Sequence, residues 1–253
     1  MKTLKIISLI LILSLSFSFT AAAQNSTSWY IQKRGNERPG FPKEAEFISD
    51  HNGLYIDNKS NSTGKKVLYL TFDAGYENGN IEKILDVLKG EGIIGAFFIL
   101  NNLINKNPEL VRRMVKEGHL VCNHTSNHKD ISGLASDEIL ANLESLESKF
   151  EDCTGAKMDK FFRFPEGKYS KSALLTLEEA GYRCVFWSMA YDDWDNSRQP
   201  NPDLAIKKLL STTHEGAIIL LHPTSETNAK ILPELIKAWR SMGYTFGSLN
   251  DIE

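Results

Sequence analysis

The chain has 253 residues, of which 42% are hydrophobic and 24% charged, with a formal net charge of -3 and a pI near 6.1. That length buries a sizeable core and suits one large domain, or one domain with a short arm. Its lysines and arginines are scattered among acids rather than clustered, so there is no basic field for a nucleic-acid partner.

The first residues, Met1-Lys2-Thr3-Leu4-Lys5, are a short basic start. Ile6 to Phe19 is an apolar run, and Ala21-Ala22-Ala23 a small-residue cleavage site before Gln24. This is the layout of a secretory signal over residues 1–23, and it predicts a mature protein outside the cytoplasmic membrane. The run is short of the roughly 20 residues that span a bilayer, and an uncleaved anchor is the alternative. No later stretch is apolar enough to span, so the mature chain is expected to be a soluble monomer without a stable membrane span. Residues 24–65 are rich in Asn, Gly, Lys and Ser and read as an arm held on the domain by aromatics such as Trp29, Tyr30, Phe41 and Phe47.

From residue 66 to 253, short apolar runs alternate with helical patterns. Strands are predicted at Val67 to Phe72, Ile93 to Leu100, His119 to Asn123, Phe161 to Phe164, Arg183 to Trp187, Ala217 to Leu221 and Tyr244 to Phe246. The helices between them fall near Ile81 to Gly90, Pro108 to Glu117, Ser136 to Phe150, Ser172 to Ala180, Asp203 to Leu210 and Ala229 to Met242. Strands too apolar to have a wet face, alternating with helices, argue for an α/β fold with a parallel sheet covered by helices. About seven parallel strands suit a closed or nearly closed β/α barrel. Three cysteines, Cys122, Cys153 and Cys184, do not make a disulfide framework. Cys122 and Cys184 sit in apolar runs as small buried hydrophobes, with one bridge left open.

The polar residues fall where such a barrel builds its sites. Asp73 follows the first strand, His124 the third, Arg163 closes the fourth, Asp193 comes soon after the fifth and His222 follows the sixth. The carboxyl ends of barrel strands share one face, so residues remote in sequence meet there. His124 and His128 are four apart; in a helix their side-chain roots would lie about 5–6 Å apart and both rings could grip one divalent cation. Two solvated surface histidines are the plainer reading. Asp73 is either a turn cap or a general base. Arg163 follows Phe161-Phe162, so it begins inside the fold and needs a carboxylate partner, of which Asp73 is the natural one. His222 is either a core histidine or a general acid whose pKa Asp193 raises. His51, His119 and His214 lack such context and read as structural or exposed.

Thr71-Phe72-Asp73-Ala74-Gly75, His124-Thr125-Ser126-Asn127-His128, Arg163-Phe164-Pro165-Glu166-Gly167, Asp193-Trp194 and Leu220-Leu221-His222 stand in the order of five motifs of one family. From Lys66 onward the chain resembles the polysaccharide deacetylases (NodB-homology, carbohydrate esterase family 4). Within them it looks most like the peptidoglycan N-acetylmuramic acid deacetylases, the delta-lactam-biosynthetic group that acts on spore cortex, on the run Phe72 to Gly79 that includes Tyr76, on Val185 to Ser188, and on Leu220 to His222 leading to Asn228-Ala229. The resemblance implies a distorted β/α barrel and hydrolysis of an N-acetyl group on peptidoglycan glycan strands. It makes His124 and His128 metal ligands, Asp73 the base, Arg163 its support and His222, oriented by Asp193, the acid on the leaving amine. A backbone N–H near Glu166 would help the metal hold the oxyanion, and Trp194, Tyr76 and Leu220 would meet the substrate.

Two positions depart from the pattern. Ala74 stands where most of the family has a second aspartate as third metal ligand, which implies a weakly held divalent cation, zinc or another, with Glu77 or Glu166 as alternative oxygen donors. Ala190 replaces an earlier aspartate of the fourth motif. Rival readings are a deacetylase of N-acetylglucosamine or chitin oligomers, and a cell-wall binding protein that has lost catalysis. The latter would have discarded the acid–base pairs that this chain keeps.

Overall fold

The computed structural model describes residues 26–253; the signal sequence read above lies outside the described residues. Seven strands form the central sheet: β1 (Val67–Ala74), β2 (Ala96–Ile99), β3 (Leu120–Asn123), β4 (Asp159–Phe162), β5 (Arg183–Cys184), β6 (Ala217–Leu221) and β7 (Thr245–Phe246). Their order is β6-β1-β2-β3-β4-β5, with β7 also on β1, and every pairing is parallel. The predicted strands all appear, most of them trimmed at their ends. The helices between them are α1 (Ile81–Glu91), α2 (Asn101–Lys106), α3 (Pro108–Lys116), α4 (Ser136–Thr154), α5 (Lys171–Glu179), α6 (Pro202–Leu210) and α7 (Glu226–Ser241).

Alternation along β1 sorts its side chains into two layers. Leu68, Leu70, Phe72 and Ala74 face the helix side, in one cluster with Ile84 and Leu88 of α1 and Ile236 of α7. Tyr69 joins the inner cluster with Phe98, Cys122, Phe161, Val185 and Ile218. Both faces are buried, which is why these strands read as continuous apolar runs. Each fully buried Leu or Phe contributes about 1.5–3 kcal/mol of transfer free energy.

The sheet curls into an incomplete barrel, and the seam between β5 and β6 is closed in part by the segment before β1. Leu54 donates its N–H to Cys184 at 2.7 Å and accepts from Phe186 at 2.7 Å, while Asp57 donates to the Gly216 carbonyl at 2.9 Å. Gly216 has φ +74, and a Cβ there would lie 2.3 Å from the Asp57 carbonyl oxygen, so only glycine fits. Trp29 is buried, donates Nε1–H to the Trp187 carbonyl at 2.9 Å and packs on Phe41, Tyr55 and Phe186. Tyr30, by contrast, is half exposed. All three cysteines are free, Cys122 and Cys184 buried, with burial pushing both thiols well above their ordinary pKa. His119 and His214 are buried hydrogen-bonded groups, and His51 pairs with Glu178. Among the described residues no helix is long and apolar enough to cross a membrane.

Candidate active site

The strand register brings the five candidate positions to one end of the sheet. Leu221 lies opposite Phe72, Asp73 opposite Phe98, and Asn123 opposite both Ile99 and Phe162, so the residues that leave these strands emerge together.

Arg163 is completely buried, and its donors are consumed by the site. Nη1 donates to Asp73 Oδ1 at 2.8 Å, Nη2 to Thr71 Oγ1 at 2.8 Å and to the Phe186 carbonyl at 3.3 Å, and Nε to the Val185 carbonyl at 3.0 Å. The guanidinium also lies 4.2 Å over the Phe98 ring. The Thr71 hydroxyl passes the chain on to the Ile219 carbonyl at 2.7 Å. Thr71 shares the inner face of β1 with Asp73, two residues on, and its role was hidden inside an apolar run. Burial works against the charge of Asp73, but Arg163, His124 and His222 outweigh it and hold its carboxyl below the usual carboxylate range. Asp73 is therefore ionised at neutral pH.

His222 Nδ1 shares a 2.8 Å hydrogen bond with Asp193 Oδ1, and its backbone N–H donates to Asp193 Oδ2 at 2.8 Å. Asn228, in the first turn of α7, donates Nδ2–H to Asp193 Oδ2 at 2.5 Å and to the His222 carbonyl at 3.0 Å, and accepts from the Tyr191 hydroxyl. Burial alone would lower the His222 pKa; the hydrogen bond and charge of Asp193, with Asp73, reverse this and raise it. Asn228 and Tyr191 have no catalytic signature of their own. Only their position beside a buried carboxylate reveals them.

His124 and His128 do not sit on a helix. The segment is irregular, and Thr125 (φ 70) and His128 (φ 62) both take the left-handed conformation, an uncommon and strained choice for such residues. It is held by Asn123 Oδ1, which accepts from Thr125 N at 2.9 Å, and by Asn142 Oδ1, which accepts from Ser126 N at 2.9 Å. The rings nonetheless come together edge-on, with centroids 5.0 Å apart.

A cavity of about 710 Å³ opens over these groups, lined by Asp73, His128, Glu166, Trp194, Leu220 and His222 among others. Trp194 is 63% exposed and walls it. Glu166 (φ 55) and Gly167 (φ 66) form a left-handed turn at its edge; a Cβ on Gly167 would meet the Trp187 ring at 2.8 Å. Tyr76 is not among the residues that line this cavity; it is 61% exposed on the turn after β1.

A polysaccharide deacetylase model matches residues 60–185. The peptidoglycan-N-acetylmuramic acid deacetylase PdaA of Bacillus subtilis is 34% identical over 234 residues, which is 92% of this chain and 88% of that protein. A peptidoglycan-N-acetylglucosamine deacetylase of Bacillus cereus is 34% identical over 197 residues, 74% of this chain and 88% of its own. The chain belongs to the polysaccharide deacetylase family. The structure of Bacillus subtilis PdaA, a family 4 carbohydrate esterase, superposes with a TM-score of 0.84 over 90% of this chain and 96% of that one, at 34% identity. This polysaccharide deacetylase shares with it an α/β fold built on a curled parallel half-barrel.

Deacetylases of this family are generally metal-dependent, and part of this site fits a cation. Burial pushes the His124 pKa down to about 4, so the ring is neutral at neutral pH. Its Nδ1 must then donate to the Arg163 carbonyl at 2.8 Å, which leaves the Nε2 lone pair facing Asp73 Oδ2 across 3.5 Å. Two acceptors with no proton between them form a gap that would suit a cation. Among the described residues, however, no group of three or more His, Cys, Asp or Glu side chains is assembled to hold a metal. Ala74 is fully buried on the helix side. The Glu77 carboxylate is spent on the Gly79 and Ile81 N–H groups, 2.5 and 3.0 Å away, and Glu166 pairs with Lys168 at 2.7 Å.

Proposed function

We propose that this enzyme removes the acetyl group from N-acetylmuramic acid in peptidoglycan glycan strands, outside the cytoplasmic membrane, after an amidase has stripped the peptide stem. The freed amine then closes on the lactyl carboxylate with loss of water as the muramic delta-lactam, the product that a spore-forming source would place in its cortex. The observation that carries this reading is the reach of the similarity to PdaA: a match over 92% of the chain must enter the first 65 residues, and those residues contribute Ile31 and Lys33 to the cavity that holds Asp73 and His222. The secretory layout of residues 1–23 agrees with the location.

In this mechanism Asp73 takes a proton from water as the oxygen attacks the acetyl carbonyl carbon. Arg163 keeps the base ionised and aimed. The tetrahedral intermediate collapses with rupture of the C–N bond while His222, protonated and held by Asp193, delivers its proton to the leaving nitrogen, giving acetate and the amino sugar. His124 and His128 would hold a divalent cation, which would supply Lewis acidity to polarise the carbonyl and ease deprotonation of water. Trp194, Leu220 and the turn at Glu166 wall the sugar. With Ala74 in place of an acid, the cation is held weakly.

The roles of Asp193 and His222 are tested by Asp193→Asn. A catalytic acid must be protonated, so activity falls as pH rises through its pKa, which in the wild type lies above the ordinary imidazole value. Without the Asp193 charge, burial dominates and the alkaline limb of kcat/KM moves to lower pH, with a loss of about tenfold or more at pH 7. An unmoved limb removes His222 from the acid's place. The function itself is tested by mass spectrometry of muropeptides after digestion with the mature chain. Loss of acetyl from muramic acid in peptide-free strands is the expected result. Loss from glucosamine instead would favour the second reading, for which the 34% identity to an N-acetylglucosamine deacetylase speaks.

A further inference from the structure

The catalytic cavity is lined by three carboxylates, Asp73, Glu166 and Asp192, and by one lysine or arginine, Lys33. Each carboxylate already has its own cation. Asp73 is paired with Arg163 at 2.8 Å, Glu166 with Lys168 at 2.7 Å and Asp192 with Lys208 at 3.5 Å. The Lys33 side chain makes no hydrogen bond and no contact ion pair among the described residues. It stands in the short strand Gln32–Arg34 of the segment that precedes the barrel, outside the stretch matched by the family model. An unpaired ammonium on the wall of a reaction cavity otherwise rich in acids is a place for an anionic part of the substrate.

We infer that Lys33 is the residue by which this site recognises the free lactyl carboxylate of muramic acid. The inference rests on the muramic-acid reading above and deepens it. The acetamide to be cleaved is on C2 of the sugar, and the lactyl ether is on the neighbouring C3. A ring that presents its acetamide to Asp73 and His222 must therefore place the lactyl group within the same cavity. Glucosamine has only a hydroxyl at C3, and a muramic acid that still bears its peptide stem has an amide in place of the carboxylate. Neither offers a lactyl carboxylate to Lys33, so this one side chain separates the proposed substrate from both alternatives. Burial and the nearby charge of Lys208 lower the Lys33 pKa from the ordinary lysine value against the opposing pull of Asp192, as expected of a cation without a bound partner.

The test uses the full mature chain with its divalent cation present, as wild type, Lys33→Gln and Lys33→Arg. Each is assayed for acetate release on peptide-free glycan strands and on the same strands with the lactyl carboxylates capped as methylamides. The wild type is expected to prefer the free carboxylate by about fivefold in kcat/KM, carried by KM, which is the scale of one partly exposed ion pair. That preference should shrink as salt is raised, since the pair is screened. In Lys33→Gln the ratio between the two glycans falls to near one, and Lys33→Arg restores most of it. A wild type that prefers the free carboxylate, together with a Gln variant that keeps that ratio, overturns the assignment to Lys33 and leaves the muramic-acid reading standing. A wild type that deacetylates muramic acid equally in both glycans does the same. Release from glucosamine alone overturns both.

Discussion

Asp73→Asn is expected to reduce deacetylation by about 10²-fold or more at neutral pH, because an amide oxygen has no basicity with which to take a proton from water. The substitution is nearly isosteric and keeps an acceptor for Arg163 Nη1, 2.8 Å away. Activity lost this way is therefore a loss of charge rather than of shape. The structure adds a second consequence. Arg163 has no solvent exposure, its remaining hydrogen-bond partners are a threonine hydroxyl and two backbone carbonyls, and among the described residues Asp73 is the one carboxylate that it touches. Removing the counter-charge of a buried pair typically costs about 3–5 kcal/mol, so a lowered urea midpoint should accompany the kinetic defect. Turnover on a defined glycan and a urea melt of the same preparation check the two parts separately. Near wild-type turnover would remove Asp73 from the mechanism, and an unchanged midpoint would mean that water already relieves the Arg163 charge.

How much of this was legible in the sequence depends on how each part is stabilised. β1 and β6 were readable because both faces of the sheet are buried, which leaves a largely apolar run over residues 67–72 and an unbroken one at Ala217–Leu221. The acid–base residues were readable because a strand that ends in a charged residue breaks such a run abruptly. The barrel seam was not. Leu54 and Ile56 join it through single bridges, and a pairing one residue long has no period to detect. Helix α2 offers only Leu103 and Ile104 as buried anchors, too few for a helical stripe. The histidine pair was found by its spacing, but the loop that brings the rings together was not legible. Left-handed backbone at Thr125 and His128 depends on the Asn123 and Asn142 side chains, which arrive from the strand before the loop and from α4. Thr71 could have been suspected, since it shares the inward parity of Asp73. Asn228 stood out only through the family resemblance; its role comes from a loop 35 residues away.

Arg163→Met is expected to have a large effect on stability. It removes the guanidinium from Asp73 Oδ1, Thr71 Oγ1 and the Val185 and Phe186 carbonyls together, and strands a carboxylate in the site. A loss of about 3–5 kcal/mol is the usual scale for breaking a buried pair from one side. Activity should fall as well, for a reason separable by pH. Arg163 is the largest of the influences that lower the Asp73 pKa, and without it burial raises the carboxyl. The acid limb of kcat/KM should then move to higher pH, because a base works only where it is ionised. The decisive measurement is a double-mutant cycle on stability. If the two side chains stabilise each other as a buried pair, then Asp73→Asn added to Arg163→Met costs little more than Arg163→Met alone, since the stranded charge disappears with its carboxylate. The coupling should exceed about 1 kcal/mol, well outside the few tenths expected for independent sites. Additive losses would mean that Arg163 is held by its carbonyl and threonine partners, with Asp73 merely near it.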